Sequence, residues 1–74
     1  MRQNSILDEK IYEDAVLLAI YYLDGGLNEY YAAKLIGEDF RGGYDKDGNP
    51  MSNKQCMQEA WKVIREANRR LGWY

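Results

Sequence analysis

Seventy-four residues are enough for one domain with one hydrophobic core and too few for a second. A single cysteine, Cys56, excludes an internal disulfide, and the absence of histidine removes the usual zinc ligand sets, so no metal or other cofactor is expected. A net charge of −2 argues against coating nucleic acid through bulk charge, and no apolar run approaches the roughly 20 residues of a membrane span.

The first helix is expected from about residue 6 to residue 24, with Ser5 as its cap and the Gly25-Gly26 pair as its terminator. Asp8 and Glu9 suit the positive end of its dipole. Its main apolar stripe reads Leu7, Ile11, Ala15, Leu18 and Tyr22, at steps of four, four, three and four. From Ala15 to Leu23, however, every residue is apolar or aromatic, so the second half of the helix is hydrophobic all round. Short partner helices cover only part of a cylinder about 10 Å across, which leaves Leu17, Ile20 and Tyr21 hard to bury within one chain. Either the N-terminal arm or the following loop folds over them, or another molecule does.

A second helix fits residues 28 to 36, with Asn28 as cap, Leu27 stapled to Ala32, and Gly37 as terminator. Ala33, Ile36 and one of Tyr30 and Tyr31 would face inward. Residues 38 to 51 carry three glycines and an Asn-Pro step, which is loop chemistry with room for a brief hairpin around Asp47-Gly48. Asp45-Lys46-Asp47-Gly48-Asn49 resembles the opening of an EF-hand calcium loop, but the obligatory glycine position holds Pro50 and the bidentate glutamate position holds Cys56. A turn is the better reading.

The third helix is expected over residues 52 to 71. Ser52 and Gln55 form a capping box, Met51 and Cys56 a staple, and Gly72 a left-handed cap onto which Trp73 folds. Cys56, Ala60, Val63, Ile64, Ala67 and Leu71 share its inner face, with Met57 and Trp61 on the flank. The expected fold is thus an all-α, three-helix domain spanning residues 1 to 74.

Catalysis lacks its parts. There is no histidine, the two serines (Ser5 and Ser52) serve as caps, and Cys56 lies in an apolar stripe, so no nucleophile and base pair can be drawn and no small-molecule substrate is expected. The lone cysteine and the early charges Asp8 and Glu9 suit an untargeted cytoplasmic chain with no membrane contact.

Three binding readings remain. The first is an interaction protein, either a homodimeric regulator or an inhibitor or adaptor that docks on a larger protein, for example as a mobile-element accessory factor. Its contact residues would be Leu17, Ile20 and Tyr21, with Tyr30 and Tyr44 as additions. The second is a regulator that binds duplex DNA with the third helix. Residues 1 to 48 hold ten acids and five bases, while residues 49 to 74 hold two acids and five bases. Lys54, Gln58, Lys62, Arg65 and Arg69 recur at helical spacing beside Trp61, in a stripe that could lie along phosphates. Lys62, Arg69 and Arg70 are also placed to pair with Glu66, which would make the stripe a solvated face. A helix-turn-helix likeness fails on the long loop that replaces the tight turn. The third reading is a nucleic-acid mimic built from the acids Asp8, Glu9, Glu13, Asp14, Asp24, Glu29, Glu38 and Asp39, which serve equally as solubilising charge.

Overall fold

Three helices follow from local capping chemistry together with one shared core. The structure, a computed structural model, describes residues 5–72. Met1 to Asn4 and the Trp73 expected to close the last helix lie outside the described residues. The helices are α1 (Glu9–Asp24), α2 (Glu29–Phe40) and α3 (Asn53–Leu71), and each packs on the other two. They form an all-α bundle of 33 × 25 × 16 Å.

α1 starts three residues later than its sequence suggests. Asp8 is the cap, its carboxylate accepting from the Lys10 amide at 3.0 Å. Ser5 has other work: its hydroxyl donates to Glu59 Oε1 at 2.6 Å and accepts from the Leu7 amide at 3.1 Å. The segment Ser5 to Leu7 therefore runs non-helically against α3 and buries Leu7. Because Leu7 is outside the helix, it does not set the helix's rotation. The face that enters the core is Tyr12, Ala15, Val16, Ala19 and Leu23, and Ile11 of the expected stripe is exposed.

α2 runs a full turn past its expected end. Gly37 is not a terminator; it is buried inside the helix, and Phe40 beyond it is buried as well. Burial of one phenylalanine is worth about 1.5–3 kcal/mol, more than the roughly 1 kcal/mol by which glycine weakens a helix interior. Asn28 caps the start, accepting from the Tyr31 amide at 2.8 Å. Neither Tyr30 nor Tyr31 turns inward; the inner positions belong to Ala32, Ala33 and Ile36.

The connection to α3 is a small closed loop. Tyr44 and Pro50 form one antiparallel bridge, and the Asp45 amide donates to the Asn49 carbonyl at 2.9 Å. Asp45 Oδ1 accepts from the amides of Asp47 (2.9 Å) and Asn49 (3.0 Å), and Gly48 takes φ +84°, which only glycine adopts readily. The Lys46 amide donates to the Ile6 carbonyl at 2.7 Å and ties the loop to the N-terminal segment.

α3 carries the caps read from its sequence. Ser52 and Gln55 form the reciprocal capping box, and Gly72 is left-handed. Cys56, Ala60, Val63, Ile64 and Ala67 are buried, Leu71 is half-buried, and Met57 and Trp61 lie on the flank. Six alanines sit in the buried layer, so the helices approach closely and the bundle is thin.

Candidate functional site

A thin three-helix bundle covers about one face of each helix, and α1 has more apolar surface than that. Lys10, Asp14, Leu17, Tyr21 and Asp24 follow one another at steps of four, three, four and three and form its outward stripe. Leu17 is 55% exposed and Tyr21 74% exposed. Neither the loop nor the described part of the N-terminal segment covers them; that segment lies against Glu59 of α3 instead.

Around this pair the apolar surface is wider than the sequence reading had it. Ile11 and Leu18, expected in the core, line an open groove between α1 and the end of α2 together with Asp14, Ala15, Asp39 and Phe40. Tyr22, also expected in the core, is half-buried, its ring 6.2 Å from that of Tyr21. Tyr21, Tyr22, Asp24, Gly25 and Leu27 line a second shallow hollow at the end of α1. The competing apolar stripe was visible in the sequence; which of the two stripes faces inward was not. Ile20, expected on the contact surface, packs half-buried against the core, as do Leu18 and Tyr22.

The additional tyrosines belong elsewhere. Tyr30 is exposed in the first turn of α2, one turn before Lys34. Tyr44 is exposed in the loop tied to Ile6, at the opposite end of α1 from Tyr21. The structure therefore brings Leu17 and Tyr21 together on α1, while Tyr30 lies on α2 and Tyr44 in the loop.

On α3, Lys54, Gln58, Arg65 and Arg69 are exposed on one face with half-buried Trp61 and Lys62 beside them. Two of these bases are held by carboxylates that composition did not mark as buried. Glu59 and Glu66 are each only 2% exposed. Lys62 pairs with Glu59 at 2.8 Å rather than with Glu66, and Glu59 also accepts from Ser5. Glu66 accepts from Arg69 Nη2 at 2.6 Å and Arg70 Nε at 2.9 Å, while Arg70 reaches across to Glu13 of α1 with both terminal nitrogens, at 2.5 and 2.9 Å. Burial pushes the Glu66 carboxyl up, but the hydrogen bonds and charges of Arg69 and Arg70 outweigh it and hold the group below its ordinary value. Glu13, followed by Glu66, holds the Arg70 guanidinium protonated.

A third surface joins residues that are far apart in sequence. The groove between α2 and α3 is lined by Lys34, Gly37, Glu38, Arg41, Asn53, Cys56 and Met57. Among the described residues, no three of Asp, Glu, Cys and His converge as a metal would require, and no helix is long and apolar enough to cross a membrane. No family model, no curated protein and no solved structure matches the chain.

Proposed function

We propose that this chain is a non-enzymatic interaction protein, a cytoplasmic regulator or inhibitor that docks through the outer face of α1. One observation carries the reading: Leu17 and Tyr21 stand side by side, exposed, on a helix whose other face already fills the core. Ile11, Leu18 and Tyr22 extend the apolar surface, and Asp14, Asp24 and Asp39 border it, which favours a partner contact with an apolar centre and a basic rim. The non-enzymatic half is supported by the engagement of the hydroxyls, Ser5 with Glu59 and Ser52 with Gln55, and by the burial of Cys56.

Leu17→Asp combined with Tyr21→Ala is expected to abolish association, measured by sedimentation and by capture of bound protein from the native host. Helicity should be unchanged, because exposed substitutions away from caps and core shift stability by only about 0.5 kcal/mol. Association that survives the double substitution places the contact elsewhere.

Duplex DNA binding through α3 is the second reading, favoured by the joint exposure of Lys54, Gln58 and Arg65. It is the weaker one, because Lys62 and Arg69 are engaged with Glu59 and Glu66. It predicts duplex binding that falls steeply with salt and is lost in Lys54→Glu with Arg65→Glu. No binding at low salt removes it.

A further inference from the structure

The floor of the α2–α3 groove is barer than the fold requires. Gly37 lies inside α2 without a positive φ. A Cβ placed on it would meet Ala60 Cβ at 3.7 Å, the Cys56 carbonyl oxygen at 3.8 Å and Met57 Cε at 3.9 Å, all ordinary contacts. Alanine therefore fits and would strengthen the helix. Close packing does not account for the glycine; its effect is to leave the groove open beside exposed Met57. Lys34 and Arg41, both exposed, stand on the rim against a single acid, Glu38.

The outer stripe of α1 has the converse character. Leu17 and Tyr21 are bracketed by Asp14 and Asp24, ten residues apart or about 15 Å along the helix. Lys34 and Arg41 are seven residues apart, about 10 Å along α2, and their long side chains extend that reach. The Lys10–Asp14 pair, at 3.9 Å with both side chains mostly exposed, is too loose to occupy Asp14. No residue of α1 lines the α2–α3 groove, so both surfaces can be engaged at once.

We propose that the α2–α3 groove takes the α1 face of a second copy of this chain, with Leu17 and Tyr21 over Gly37 and Met57 and the flanking acids facing Lys34 and Arg41. This rests on the reading of α1 as a docking surface and names its partner. Two different patches meet in such a contact, so the assembly runs head to tail and grows with concentration instead of stopping at a symmetric dimer.

Sedimentation velocity of the full chain tests this with two face-specific variants, Leu17→Asp with Tyr21→Ala, and Lys34→Glu with Arg41→Glu. The unaltered protein should form species that lengthen with concentration and shrink with added salt. Each variant alone should be monomeric, and their equimolar mixture should form a two-chain species that grows no further. Self-association of the groove variant alone would overturn the proposal in favour of symmetric α1 pairing. An unaltered protein that stays monomeric at every concentration would overturn it too, while leaving the α1 face to a different protein, which the capture experiment with Leu17→Asp and Tyr21→Ala judges separately. Gly37→Ala supplies an independent check that misfolding cannot mimic. It should raise Tm by about 4 °C yet weaken association about tenfold; unchanged association would show that the occupant does not reach the groove floor.

Discussion

Tyr12→Ala is expected to leave most of the chain unfolded at room temperature. Tyr12 has no exposed surface and heads the fully buried side chains by volume. Truncating a buried aromatic removes about 3–5 kcal/mol, and a domain of this size has about 3–5 kcal/mol of net stability to lose. Tyr12→Phe should cost less than about 1 kcal/mol. It keeps the ring and gives up a hydroxyl whose contact with the Lys62 carbonyl, at 3.5 Å, is long for a hydrogen bond. Urea denaturation followed by circular dichroism separates the two. An alanine variant with a normal cooperative transition would mean that the ring does not organise the junction of α1 and α3.

Glu66→Gln should cost about 2 kcal/mol at neutral pH and flatten the acid limb of the stability profile. The carboxylate is buried and accepts from Arg69 and Arg70, and hydrogen bonds to charged groups contribute about 1.5–3 kcal/mol each before desolvation is counted. The sign of the pH effect follows from the depressed pKa of the folded state. An unfolded glutamate titrates near pH 4.3, so the stabilisation is complete above about that pH and is lost as the pH falls through the lower value of the folded state. Denaturation midpoints of the unaltered chain should therefore drop below about pH 4, and this component should be missing from the glutamine variant. Equal acid sensitivity in both proteins would mean that Glu66 does not carry the effect.

Both predictions concern residues that sequence patterning undervalued. Leu7, Ile11, Ala15, Leu18 and Tyr22 make a complete apolar stripe without Tyr12, and a helix that is apolar nearly all round offers two such stripes. Spacing marks Glu66 as an ion-pair partner on a solvated face, whereas the fold buries it. Beside it Arg70 also reaches Glu13, a contact 57 positions away that no local pattern reports. The candidate site divides in the same way. Leu17 and Tyr21 are legible as surplus hydrophobics, whereas Ile11 is exposed and Leu18, Ile20 and Tyr22 all lie half-buried against the core once α1 takes its rotation. Gly37, Lys34 and Arg41 drew no functional reading, because they become one groove only when α2 lies against Asn53 and Met57 of α3.

The sequence by itself determined the all-α class, the order of three helices and the ends of α3. Those features depend on side chains bonding to amides within a few residues, as Ser52 and Gln55 do, and on the left-handed backbone that Gly72 adopts. Tertiary structure alone decided the rotation of α1, the extra turn of α2 through Gly37 to Phe40, and the burial of Glu59 and Glu66. In each of these, local preference was balanced or unfavourable, and the choice fell to the arrangement that buried more apolar surface while Glu59 and Glu66 kept their basic partners on α3.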